Sequence, residues 1–277
     1  MRVAQVDNRA VLIREDQYLD IEKTSQGRFR SDLGRIYDKW TELREWASGL
    51  KWSNSVSLGS GVAFSSPAPH PGQVFAIGLN YKDHAREMGM VLPEIPTTFT
   101  KFPSCLTGDR AHVKLPSSNV DWEVELVVVM GIKCHEVSSD KAWDYVAGLS
   151  IGQDLSERVV QVKAGGQFSL GKSFPGFGPI GPCLVTPDEL ADPNDLALKT
   201  KINGEVVQDS RTSQMIFSVA EIISKLSEVV TLNPGDVIFT GTPSGVGMSF
   251  NPPRYLSPGD IITSEIEGIG VLTTFCV

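Results

Sequence analysis

The chain has 277 residues, 41% of them apolar and 21% charged, with 26 glycines and 17 prolines; this make-up excludes disorder for most of it and allows a large core, in one elaborate domain or in a main domain with a smaller unit beside it. A net charge of −8, with no Lys/Arg cluster longer than two, argues against a nucleic-acid partner, whose binding rests on neutralised phosphates, while a locally positive site for a small anion stays open. Cys105, Cys134, Cys183 and Cys276 lack CxxC spacing and are expected as free thiols in a reducing compartment.

The opening MRVAQVDNRAVLIRE carries charge from residue 2 and lacks the continuous apolar stretch of a signal peptide, and no later run approaches the roughly 20 apolar residues of a membrane span. A cytoplasmic protein with no membrane contact is expected. Residues 2 to 6 and 10 to 14 are apolar runs around Asp7 and Asn8, a hairpin pattern. From Leu33 to Leu50 the apolar residues Ile36, Trp40, Leu43, Ala47 and Leu50 recur at three or four positions, which predicts an amphipathic helix. SSPAPHPG, residues 65 to 72, then places three prolines in eight residues. It divides a small N-terminal α/β domain, residues 1 to 66, from a main domain, residues 73 to 277.

Past residue 73, FAIG, DWEVELVVVM, LSIGQ and LALKTKI read as strands, the last turning at Asn203-Gly204 into EVVQ through a type I′ hairpin. Two Pro-Gly-Asp turns, at 234 to 236 and 258 to 260, launch VIFT and IITSEI. Helices are expected at 139 to 147 and at 218 to 229, where Ser218 and Glu221 have capping-box spacing. So many strands with so few helical crossovers predict a β-rich α+β fold, a sandwich or roll rather than a doubly wound sheet.

Three letter patterns mislead. GLSIG, residues 148 to 152, fits the GxSxG elbow, which needs a strand-turn-helix and a later histidine, yet His70, His84, His112 and His135 all precede Ser150. GFGPIG, residues 176 to 181, fits GxGxxG, but Pro179 lies inside it and no helix follows, so a loop is expected. TGTPSGVG, residues 240 to 247, lacks the GK[ST] ending of a P-loop; it is a plain turn or a backbone that approaches a ligand closely.

The pair Glu123 and Glu125 in DWEVELVVVM carries more information. Alternation along a strand points Asp121, Glu123 and Glu125 to one face, with the two glutamates about 7 Å apart at the Cα. An edge strand with one wet face would explain them, but the apolar VVVM that follows argues for burial. Like charges that close need a cation between them, and a hard divalent ion with oxygen ligands fits. Asp154, ending LSIGQ, is the best-placed third carboxylate.

Three further clusters follow. In DLSERVVQ, a helix would put Asp154, Arg158 and Gln161 on one face, although taken alone an exposed helical turn is the commoner explanation of that spacing. In NYKDHAREMG, His84 and Glu87 stand at i and i+3, so a short helix would let the carboxylate orient the imidazole as a general base requires; a solvated helix with an incidental pair is the bland alternative. The loop MGMVLPEIP after it suits a mobile lid. Lys172, in LGKSFPGFGPIGP, is either a site cation or a snorkelling surface side chain.

Taken in order, NYKDHAREM, DWEVELVVV, DLSERVVQ, LGKSFPGFGPIGP, NGEVVQ and PGDVIFTGTPSGVG resemble the fumarylacetoacetate hydrolase family over residues 73 to 277, most closely its short bacterial and mitochondrial members. The ending GVGMSFNPPRYLSPGD resembles the branch that includes sugar-acid diketone hydrolases. The resemblance implies a mixed β-roll/sandwich catalytic domain, a homodimer, and Mg²⁺ or Mn²⁺ on Glu123, Glu125 and Asp154. It implies His84 and Glu87 as a water-activating pair on a lid, Arg158, Gln161 and catalytic Lys172 around the substrate, and Thr242 gripping a carboxylate. A further aspartate ligand of fumarylacetoacetate hydrolase itself is replaced here by Ile77, which argues against fumarylacetoacetate as the substrate. The expected activity is metal-dependent hydrolysis of a C–C bond in a 2,4-dioxo acid, an acylpyruvate or diketo sugar acid, to pyruvate and a carboxylic acid. An oxaloacetate-type decarboxylase, a hydratase or isomerase of unsaturated 2-oxo acids, and a non-catalytic metal-binding module are the alternatives.

Overall fold

In the computed structural model, which describes residues 1–59, 61–163 and 165–277, strands dominate and helices are short. The β-rich mixed α+β class is therefore observed. An eleven-stranded mixed sheet runs from Val56–Ser57 through Gln17–Asp20, Arg9–Arg14, Arg2–Val6, Gly178–Val185, Val146–Gln153, Val124–Met130, Val237–Phe239 and Val74–Ile77 to Thr98–Thr100, with Leu106–Thr107 beside Gly178–Val185. A second sheet orders Glu205–Arg211, Ala197–Ile202, Ile261–Ile266, Gly270–Cys276 and Ala111–Val113. Between the sheets lies one core, where Val124, Leu126, Val128, Leu149 and Ile151 meet Leu198, Ile266 and Leu272. Among the described residues, no helix is long and apolar enough to cross a membrane.

Turn chemistry sets much of this architecture. Asn203 and Gly204 both have positive φ, 52° and 87°, as a type I′ turn demands, and Ile202 pairs with Glu205 across it. In both Pro-Gly-Asp turns the aspartate side chain closes the loop, Asp236 accepting from Asn233 N at 2.8 Å and Asp260 from Ser257 N at 2.7 Å. The expected N-terminal hairpin pairs Arg2–Val6 with Arg9–Arg14. The second expected helix forms as Val219–Ser227, with Ser218 and Glu221 in a reciprocal capping box.

Three expectations need correction. Residues 139 to 147 hold only a 3₁₀ turn, Ala142–Tyr145, because from Val146 the chain is already a strand paired with Met130; the buried pair Ala142 and Val146 imitates a helical spacing. GFGPIG is not all loop: from Gly178 it enters a buried strand, and its prolines sit there because that strand is only partly laddered to its neighbours. The helix over 33 to 50 is interrupted, as Leu33–Ile36, a 3₁₀ turn at Tyr37–Lys39, and Trp40–Ser48. Its apolar stripe survives, with Leu33, Ile36, Trp40 and Leu43 buried.

The sheet runs without interruption past residues 66 to 73, since Arg2–Val6 pairs with Gly178–Val185. We retain residues 1–66 as an N-terminal unit only as a proposal about how the chain is assembled.

Gln153 ties the two sheets together at the site. Its Oε1 accepts from Glu123 N at 2.9 Å, and its Nε2 donates to Ser264 Oγ at 2.9 Å and Thr200 Oγ1 at 3.2 Å. We expect Gln153→Leu to lose about 1–3 kcal/mol, the cost of leaving buried polar groups unpaired. A urea midpoint equal to wild type would show that the bridge is dispensable.

Candidate functional site

The Val124–Met130 strand is central, flanked by Val146–Gln153 and Val237–Phe239, and buried along its whole length. That disposes of the wet edge strand. The alternation is imperfect, because regular pairing lapses at Trp122 and Glu123, where the amides of Glu123 and Val124 turn to the side-chain oxygens of Gln153 and Gln208. Even so, Glu123, Glu125 and Asp154 each present an oxygen within 4.8 Å of the others, all three buried.

Cations surround this trio. Lys172 is 2% exposed, so it is no snorkelling surface residue, and its Nζ donates to Glu123 Oε2 at 2.7 Å, Asp154 Oδ2 at 2.6 Å and Ser156 Oγ at 2.8 Å. Lys101, 1% exposed, donates to Asp154 Oδ1 at 2.5 Å and to the Lys172 carbonyl. Arg158 reaches Glu123 Oε1 at 2.7 Å, Asp121 Oδ2 at 2.6 Å and Gln161 Oε1 at 3.0 Å. Its helix covers only Arg158–Lys163; Asp154 precedes a two-residue strand at Ser156–Glu157, so no single helix carries Asp154, Arg158 and Gln161. The buried guanidinium also rules out the exposed helical turn.

Electrostatics separates the two glutamates. Burial alone would raise the Glu123 pKa, but Lys172 and Arg158 outweigh it and hold that carboxyl at about 2. Glu125 is pushed well above the usual carboxylate range, first by burial and then by the charges of Asp154 and Glu123. Its hydrogen bond from Gly241 N, at 2.7 Å, opposes that push too weakly. Gly241 holds φ at 99°, the left-handed region, which lets its amide face Glu125.

Glu125 is thus the carboxylate of the trio that has no ion-pair partner among the described residues. Three clustered carboxylates form an all-oxygen donor set suited to a hard divalent cation, and each oxygen engaged by a lysine or arginine keeps a lone pair for a second partner. The residues present therefore fit such an ion.

The histidine pair lies on the other side of the glycine-rich loop. His84 and Glu87 share the Lys82–Glu87 helix, with His84 Nδ1 2.9 Å from Glu87 Oε2. One loop bonds both groups, Gly245 N donating to Glu87 Oε1 at 2.9 Å and Gly241 N to Glu125 Oε2 at 2.7 Å. Burial raises the Glu87 pKa, while hydrogen bonds from His84, Ser249 and Gly245 N more than offset it, for a net lowering. Asp83 Oδ2 accepts from Ser210 Oγ and Ser244 Oγ, fastening the helix to the second sheet and the loop. TGTPSGVG is no bland turn, for its amides grip three acidic residues: Gly241 N on Glu125, Gly245 N on Glu87 and Gly247 N on Asp121.

Thr242 is buried in this loop, its Oγ1 accepting from Gln208 Nε2 at 2.9 Å. Four contributors escaped sequence reasoning. Gln208 ends NGEVVQ and links Val124 to Thr242 and Pro243. Asp121, on the face already identified, serves Arg158 and the amides of Gly247 and Met248. Asn80 ties the start of the His84 helix to Thr240 O and Phe217 O. Lys101, in FTKFP, had as its signal a lone lysine between phenylalanines. Ser150 is a core residue that donates to Cys183 O at 2.9 Å, far from nucleophilic work. Ile77 is buried in its strand and supplies no ligand.

A ligand bound only by the folded state raises stability by mass action. Wild type should melt higher with Mg²⁺ or Mn²⁺ than with EDTA, and Glu123→Ala should lose that difference. An equal metal-dependent shift in both would remove Glu123 from the ligand set.

Residues 73–277 match the family defined as fumarylacetoacetate (FAA) hydrolase, C-terminal. A crystal structure of a candidate HpcE protein from Mycobacterium smegmatis is 52% identical with a TM-score of 0.94, over 100% of this chain and 99% of that one. A mitochondrial oxaloacetate tautomerase from Rattus norvegicus is 44% identical over 215 residues, 77% of this chain and 69% of its own. A maleylpyruvate hydrolase from Sphingobium sp. SYK-6, solved with manganese(II) and pyruvate, is 27% identical with a TM-score of 0.80, over 100% of this chain and 99% of that one. These likenesses carry the fold, and the chain belongs to the fumarylacetoacetate hydrolase family.

Proposed function

We propose that this chain is a metal-dependent enzyme that hydrolyses a C–C bond in a 2,4-dioxo acid, an acylpyruvate or diketo sugar acid, releasing pyruvate and a carboxylic acid. The observation that carries this reading is the hydrogen-bonded His84–Glu87 pair held by the same loop that holds Glu125 of the carboxylate trio. A base beside an electrophile-binding cluster is what a hydrolase needs, whereas a structural metal site would need the carboxylates alone.

A divalent ion, Mg²⁺ or Mn²⁺, held by Glu123, Glu125 and Asp154 would supply Lewis-acid polarisation of the 2-oxo carbonyl. The chain's residues do the rest. Arg158, Gln161 and Thr242 orient the substrate's oxygens. His84, oriented by Glu87, takes a proton from water, and the hydroxide adds to the distal keto carbon. The C–C bond then breaks, its electron pair passing to the pyruvate part as an enolate. Lys172 holds that charge, and the proton on the pair returns to the enolate carbon to give pyruvate. The manganese and pyruvate of the Sphingobium relative support this substrate class, and a homodimer remains part of the proposal.

The 44% identity to an oxaloacetate tautomerase supports a second reading, chemistry on oxaloacetate through an enolate without added water. Decarboxylation would belong with it. Removing a general base costs typically 10²- to 10⁴-fold. We therefore expect His84→Ala to lose acylpyruvate hydrolysis by at least about a hundredfold, with any oxaloacetate decarboxylation retained within about tenfold, the factor 1.4 kcal/mol allows. Near wild-type hydrolysis in the variant would sink the hydrolase mechanism.

Residues 88 to 96 continue from the histidine helix with exposed Met90, Val91, Leu92 and Ile95, Val91 at 90%. A segment that carries the base must open for substrate and close to exclude water. Amide exchange over residues 80 to 96 should slow on adding oxalate, a mimic of the pyruvate enolate. Unchanged protection at saturating oxalate would count against a lid.

A further inference from the structure

Beyond the glycine-rich loop, Gly247–Ser249 forms a 3₁₀ turn that brings Ser249 to the histidine pair. Ser249 Oγ lies 2.7 Å from Glu87 Oε1 and 2.7 Å from Val246 O. A serine bonding back to a carbonyl three residues earlier is ordinary turn chemistry. The second oxygen is not. A hydroxyl has one proton, so Ser249 can donate to only one of these acceptors at a time.

We propose that Ser249 is a positioning residue for the His84–Glu87 pair, its hydroxyl donating to Oε1 so that the ionised Glu87 keeps Oε2 on His84 while the imidazole gains and loses the water's proton. With Glu87 ionised, Ser249 donates to Oε1. Ser249 keeps its own proton throughout; the proton that arrives comes from the attacking water and leaves to the enolate carbon. The turn does not depend on the hydroxyl, because Ser249 N bonds Val246 O at 3.1 Å and the amides of Gly247 and Met248 bond Asp121.

The neighbours leave Ser249 as the adjustable partner. Oε2 of Glu87 is committed to His84, and Gly245 N, a fixed backbone donor, meets Oε1 at 2.9 Å. On the same helix, Asp83 is turned to Ser210 and Ser244, and Arg86 is exposed with no ion-pair partner among the described residues. His84 is the titratable group bonded to Glu87.

This inference rests on the pair being the base of the proposed hydrolysis, and the test separates the two. Pyruvate release from acetylpyruvate is measured for wild type, Ser249→Ala, Ser249→Thr, His84→Ala and the Ser249→Ala/His84→Ala double variant. The ring nitrogens of His84 are followed by ¹⁵N NMR over pH in the metal-free protein. Ser249→Ala should lower kcat about tenfold or more, the worth of a hydrogen bond to a charged group, with KM and melting unchanged. It should also move the His84 titration midpoint, and Ser249→Thr should restore both. In the His84→Ala background the serine change should add nothing. Wild-type kcat and an unmoved His84 midpoint in Ser249→Ala, with His84→Ala inactive, would overturn the role of Ser249 alone. An equal loss in both backgrounds would likewise overturn it, while full activity in His84→Ala would overturn the base assignment itself.

Discussion

A buried charge network governs this molecule: four carboxylates, Asp121, Glu123, Glu125 and Asp154, against three cations, Lys101, Arg158 and Lys172. Removing such groups from water costs several kcal/mol each unless partners replace the hydration. Each cation therefore bridges, so that losing one partner would strand another. The carboxyl left without a cation among the described residues is Glu125, which receives a backbone amide and whose pKa burial and its charged neighbours push up. The network is therefore unfinished at Glu125.

The fold is arranged to hold those groups from unconnected stretches of chain. Glu123 and Glu125 come from a central strand, Asp154 from the end of its neighbour, Lys172 from the connection after the Arg158 helix, and Lys101 from just past the Thr98–Thr100 edge strand. Gln153 and Gln208 carry the precision, each giving its oxygen to a backbone amide beside the glutamates and its nitrogen to the second sheet or the glycine-rich loop. A sandwich with an apolar core alone would not fix the carboxylates' height and rotation; amide bridges across it do.

What the sequence disclosed follows from range. Asn203-Gly204, the Pro-Gly-Asp turns and the Ser218 cap are local chemistry, closed within four residues, and were legible. Glu123 with Glu125 was legible because a strand's alternation is also local, and the cost of burying two like charges required a partner somewhere. Residues 139 to 147 misled because Ala142 and Val146 are both buried at a helical spacing for unrelated reasons, one under a 3₁₀ turn and one in a strand whose register is set by Met130. Lys101, Asp121, Gln208 and Ser249 act over separations of 37 to 162 residues. No periodicity or spacing could have revealed their partners.

The glycine-rich loop is where these long-range pairings converge, and under the proposed lid it would let a rigid charge network serve a moving base. Gly241 N and Gly247 N hold Glu125 and Asp121, which belong to the fixed cluster, while Gly245 N holds Glu87, which belongs to the helix at the root of the lid. Gly245 takes φ of 95°, a conformation costly for any residue with a Cβ, so its amide is aimed before the lid arrives. Opening the lid therefore breaks contacts to Gly245, Ser249, Ser210 and Ser244, all hydrogen bonds at a partly solvated rim, each worth about 0.5–3 kcal/mol net. The contacts to Asp121 and Glu125 stay buried. Buried and rim contacts alternate along the loop, so the proposed base could leave without dismantling the cluster.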